Sequence, residues 1–118
     1  MILKIENYPS MHEAIENLCR FLQENCVSEE SVFHSKLVAS ELLGNVLTHS
    51  GGFAFLHSEI RDGFVEITVK SSVQYTPPVK SVCADLYAEH GRGLFLIDAV
   101  AVERTTTGSG DILVKIKI

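Results

Sequence analysis

The sequence predicts an α+β fold, a two-layer sandwich in which a mixed, mostly antiparallel sheet is covered on one face by three helices. Three observations lead there. Val65, Ile67 and Val69 alternate with Glu66, Thr68 and Lys70, the pattern of a strand with one buried and one wet face. Residues 53–60 and 64–70 flank Arg61-Asp62-Gly63, whose Asp-Gly pair supplies the positive φ angles of a tight hairpin. Met11, Ile15, Leu18 and Leu22 recur at helical spacing and form one buried stripe, with Cys19 and Cys26 beside it. A chain of 118 residues suits one hydrophobic core, so residues 1–118 are read as a single domain.

The elements follow in order. Residues 2–6 alternate like a strand, and Tyr8-Pro9 breaks that pattern. Ser10, with Glu13 three residues on, carries a capping-box signature, so a helix is expected from there to about residue 25. Ser28 followed by Glu29 and Glu30 marks a second helix start, with acidic residues at the positive end of the dipole. That helix is expected to reach about Ser50, before Gly51-Gly52. After the hairpin, residues 71–90 contain Pro77-Pro78 and show no sustained period, and a loop this long usually serves as a lid or binding loop. Residues 94–101 are almost wholly apolar and read as a short third helix. Residues 111–118 alternate Ile112, Val114, Ile116 and Ile118 against Lys115 and Lys117, a final strand and a candidate for the sheet's centre.

Composition narrows the function classes. A net charge of −5 without a basic patch argues against direct nucleic-acid binding and against anionic membranes. No apolar run approaches the roughly 20 residues of a membrane-spanning helix, and the first residues lack a signal peptide's pattern, so a soluble, cytoplasmic protein is expected. Cys19, Cys26 and Cys83 are an odd, widely spaced set, expected to be reduced and partly buried.

Glu41-Leu42-Leu43-Gly44-Asn45 places a carboxylate and a carboxamide one turn apart in an apolar helix. At about 100° per residue, Glu41, Asn45, Thr48 and His34 share a narrow polar stripe. Val38, Ala39, Leu42 and Val46 flank it on one side, Phe33 and Leu37 on the other. Such a stripe is expected to face a cleft, where a carboxylate persists with a cation, a hydrogen-bond network or a task. The alternative is a capped or water-bridged polar pair on a half-buried helix. Further along, His90-Gly91-Arg92-Gly93-Leu94 puts two glycines at a helix start, where free backbone N–H groups and the dipole can cradle phosphate.

Taken in order, these segments resemble the histidine-kinase-like ATPase superfamily, the Bergerat fold, and within it the small anti-sigma-factor serine/threonine kinases of bacteria. The resemblance covers nearly the whole chain. Ser40 to Gly52 is similar to the family's N box, which implies Glu41 as general base, Asn45 as the Mg²⁺ ligand and His49 as the histidine often found there. The run from Glu89 to Asp98 is similar to the second glycine box, which implies that Gly91, Arg92, Gly93 and Leu94 contact the triphosphate and that residues 71–90 form the ATP lid. The family's Asp-x-Gly-x-Gly adenine box has no counterpart. Ser71-Ser72-Val73-Gln74-Tyr75 stands there, with Ser71 in the aspartate's place and Val73 and Tyr75 in those of the glycines.

The resemblance implies an ATP- and Mg²⁺-binding regulator that phosphorylates a serine of a partner, with a sigma factor or an antagonist protein as partners. The sheet's exposed face or edge is then the candidate surface for a homodimer. The missing adenine box supports the alternative of a non-catalytic protein-binding regulator. A third reading, a metal site built from His34, His49 and His57, is disfavoured because the first two are about four turns apart and His57 lies on a strand.

Overall fold

Asp62 and Gly63 have φ of 53° and 82°, the two left-handed positions that a two-residue hairpin turn requires. Arg61 consequently pairs with Phe64, and the register continues unbroken to Ala54 opposite Ser71. Around this hairpin the computed structural model describes residues 1–50, 52–72, 97, 100–106 and 111–118, the side chains of His49 and Ser50 excepted. The elements are β1 (Ile2–Ile5), α1 (Tyr8–Glu24), α2 (Glu29–Asn45), β2 (Ala54–Arg61), β3 (Phe64–Ser71), β4 (Glu103–Thr106) and β5 (Ile112–Lys117). A π-helical turn, Val46–Ser50, prolongs α2.

The strands form one sheet in the order β1-β2-β3-β5-β4. All four neighbouring pairs are antiparallel, which corrects the expectation of a mixed sheet. For β1 and β2 the reason lies in the connection. Two helices of 17 residues each, about 25 Å long at 1.5 Å per residue, carry the chain along the sheet and back. An even number of passes returns it to run against β1.

α1 starts earlier than Ser10. Its N-cap is Asn7, whose Oδ1 accepts from the Ser10 N–H at 2.9 Å, while Ser10 Oγ accepts from the Asn7 N–H at 3.0 Å. The capping box is present but shifted by three residues, and Pro9 falls in the first turn, where its missing N–H costs nothing. At the other end the Cys26 N–H donates to Gln23 and the Val27 N–H to Leu22, at 3.1 and 3.0 Å. These are the two bonds of a Schellman cap, with Cys26 at φ 59° in the position glycine usually takes. α2 begins as expected, with Ser28 accepting from the Ser31 N–H at 3.3 Å and Glu29 and Glu30 in its first turn.

One face of the sheet packs under the helices. Leu56 of β2, Val65 and Ile67 of β3 and Ile112, Val114 and Ile116 of β5 meet Leu18 and Leu22 of α1 and Val38, Leu42 and Leu43 of α2, all buried. Each such side chain removed from water stabilises the fold by roughly 1.5–3 kcal/mol. The opposite face carries Phe55, His57, Glu59, Glu66, Thr68 and Lys115, none of them buried. The sheet is thus covered on one side, as its alternation predicts.

Two α-helices, not three, cover it among the described residues. Of the expected helix over 94–101, only Ile97, Val100 and Ala101 are described; the first two are helical and the Ala101 N–H donates to the Ile97 carbonyl at 2.9 Å. Ile97 is fully buried in the core. The expected loop 71–90 lies outside the described residues beyond Ser72. β4 was not expected: Glu103-Arg104-Thr105-Thr106 has no apolar alternation and becomes a strand by pairing with the outer side of β5. A short, charged edge strand of this kind discourages pairing with other chains. No helix among the described residues is long and apolar enough to cross a membrane.

Candidate functional site

The polar stripe of α2 is where the sequence directs attention, and its surroundings decide what it can do. Val38, Ala39, Leu42 and Val46 are buried, so one flank of the stripe forms the floor against the sheet. The other flank is open, with Leu37 half-buried and Phe33 64% exposed. Glu41 and Asn45 are themselves half-buried, so the stripe is a shelf at the edge of the helical layer and not an enclosed slot. Neither the Glu41 carboxylate nor the Asn45 carboxamide has a hydrogen-bond or ion-pair partner among the described residues. Two unengaged polar groups one turn apart can take ligand oxygens, protons or a hydrated cation. Between them, Gly44 has no packing reason to be glycine, since a Cβ there would meet no atom within 4 Å.

Which side of α2 the shelf faces follows from its neighbours. A groove lined by Cys19, Val27, Val32, Phe33 and Lys36 puts α1 along one side of α2. On the other side, Val100 joins Ser28, Ser31, His34, Lys117 and Ile118 around a cleft of about 290 Å³. His34, Glu41 and Asn45 lie within about 40° of one another around the helix axis. The described part of the helical segment at 97–101 is therefore on the shelf side of α2, away from α1.

Ser71 ends β3 on the helix-covered face, two residues beyond the buried Val69 and opposite the buried Ala54. It occupies the rim of the sheet where α2 finishes and β2 begins. The rim is closed by a reciprocal pair: the Ser72 N–H donates to the Phe53 carbonyl at 2.8 Å, and the Phe53 N–H to Ser72 Oγ at 2.9 Å. Glu41 and Asn45 lie half-buried on α2, and Ser71 lies on the helix-covered face of β3. Gly91, Arg92, Gly93 and Leu94 lie outside the described residues, as do Val73, Tyr75 and the side chain of His49.

His34 and His57, the described members of the three-histidine set, do not meet. His57 points from the uncovered face of the sheet, where its Nε2 is 3.2 Å from Glu59 Oε1, whereas His34 sits on a helix against the opposite face. Among the described residues no cluster of histidine, cysteine, aspartate or glutamate side chains suits a metal ion.

One participant at this rim has no signature in the sequence. The Tyr8 hydroxyl, at the first residue of α1, is 2.9 Å from Thr48 Oγ1 in the π-helical turn. Thr48 was expected on the stripe; its bond to a residue forty positions away was not. The chain matches no protein-family model, and no curated protein matches it.

Proposed function

We propose that this protein is an ATP-binding regulator of the anti-sigma-factor kinase type, which binds Mg-ATP at the shelf of α2 and phosphorylates a serine of a partner protein. The observation that carries this reading is the pair of unengaged side chains, Glu41 and Asn45, on the side of α2 that also meets Val100. The chain resumes there after the segment bearing the glycine-rich motif Gly91-Arg92-Gly93.

Within this reading Asn45 offers its amide oxygen to Mg²⁺. Glu41, half-exposed and without a partner among the described residues, is placed to accept the proton of an incoming hydroxyl within hydrogen-bond reach. Ser71 takes the place of the adenine-binding aspartate and can hydrogen-bond the base through its hydroxyl. Bound Mg-ATP supplies the transferable phosphoryl group and the charge neutralisation that dominates such reactions. The partners of this reading are a sigma factor or an antagonist protein, in the cytoplasm, and the uncovered face of the sheet is the surface for a homodimer.

Calorimetric titration with Mg-ATP and Mg-ADP tests the reading. Saturable binding at one site is expected, lost in Asn45→Ala and retained in Glu41→Ala, with phosphoryl transfer lost in the latter. Absence of any heat or thermal shift from either nucleotide would overturn nucleotide binding. The second reading, a non-catalytic protein-binding regulator, would then stand, favoured by the uncharged Ser71 at the adenine position.

A further inference from the structure

A π-helical turn has poorer hydrogen-bond geometry than an α-helical one and persists in short pieces, frequently beside functional sites. The turn Val46–Ser50 directly follows Asn45, so its conformation sets how the last turn of α2 ends. Val46 anchors its start in the core at 1% exposure. Its middle is exposed at Thr48, and there the hydroxyl of Tyr8 meets Thr48 Oγ1 at 2.9 Å. Tyr8 is a firm point of attachment, because its backbone is fixed between the Asn7–Ser10 capping box and Pro9. The tie therefore runs from the rigid start of α1 to the turn that closes the polar stripe, three residues after Asn45 and seven after Glu41.

We propose that Tyr8 is a positioning residue for the magnesium and phosphate end of the site: through Thr48 it holds the π turn, and the π turn fixes where the Asn45 carboxamide presents its oxygen. This rests on the nucleotide reading above. Both hydroxyls are solvent-exposed, so the bond adds little to global stability. Its effect falls on the fraction of molecules whose turn is correctly set, and apparent affinity scales with that fraction.

The test is calorimetric titration with Mg-ADP and, separately, with ADP in chelator. Tyr8→Phe removes only the hydroxyl. It is expected to weaken Mg-ADP binding by about three- to tenfold, as when the competent fraction falls to between about a third and a tenth. Binding of metal-free ADP and the melting temperature should stay as in the wild type. Thr48→Val should match Tyr8→Phe, Thr48→Ser should restore wild-type affinity, and the double variant should be no weaker than either single one. Wild-type affinity in Tyr8→Phe, or Thr48→Ser as weak as Thr48→Val, overturns the positioning role while leaving the nucleotide site intact. A wild-type protein that binds neither form of ADP overturns the nucleotide reading and this role with it.

Discussion

Glu59 and Glu66 face each other directly across the β2–β3 hairpin on its uncovered face. Like charges opposed in this way destabilise a strand pair, and two cations and an imidazole surround them. Arg61 reaches the Glu59 carboxylate through its Nη2 and lies 3.7 Å from Glu66 through its Nε, and Lys115 Nζ is 3.9 Å from Glu66. His57 completes the ring at 3.2 Å from Glu59.

Among the described residues Arg61 is the one group that touches both carboxylates, so its loss exposes their repulsion. Arg61→Ala is expected to cost about 0.5–1 kcal/mol in urea denaturation, the range of exposed ion pairs. Glu66→Gln in the same background should recover most of it, and high salt should shrink the difference. Equal losses with and without Glu66 would contradict the coupling.

Cys26 caps α1 from a left-handed conformation that a Cβ disfavours by roughly 1 kcal/mol or more. Cys26→Gly keeps both Schellman bonds and removes that cost. Its melting temperature should rise by about 4 °C for a domain of this size, read by calorimetry. A lower melting temperature would show that the exposed thiol makes a stabilising contact.

Ser58 is fully buried between strand and helices, and its Oγ finds no hydrogen-bond partner among the described residues. Replacing it by alanine removes an unsatisfied hydroxyl and leaves only a small void. Ser58→Ala is expected to be neutral or stabilising by up to about 1 kcal/mol, as a shift in the urea midpoint with an unchanged slope. A clear loss of stability would mean that the hydroxyl is bonded in solution.

Burial pushes the Cys19 thiol above its ordinary pKa, with nearby Lys36 opposing and Glu16 reinforcing the shift. Because the folded state holds this proton more tightly than the unfolded one, the associated stability is full below the unfolded pKa. It is lost as pH rises through the folded value. At neutral pH Cys19 should therefore alkylate far more slowly than the exposed Cys26, as peptide mapping after brief iodoacetamide treatment would show. Equal labelling would mean that the groove beside Cys19 opens in solution.

Much of the fold was legible because its signals are local. The Asp62-Gly63 turn, the alternation of β3 and the Ser28 cap each depend on neighbouring residues only, and each formed as expected. The start of α1 was misplaced because Ser10 can cap or be capped, and Asn7 took the role that leaves Pro9 in the first turn. β4 escaped notice because an edge strand needs a partner more than an apolar face. The stripe of α2 followed from periodicity, but its openness did not, since the flank at Phe33 depends on what packs there. The Tyr8–Thr48 bond is purely tertiary, and no spacing rule announces it.

The pairing of Ile5 with Ala54 joins residues about fifty positions apart, whereas the hairpin beside it closes over two. The order of assembly should follow. β2 and β3 can meet within microseconds, but β1 gains its seat only after α1 and α2 have folded back over them. The slowest step in refolding is then the arrival of the first strand, and until it docks the outer backbone of β2 stands open to strands of other molecules.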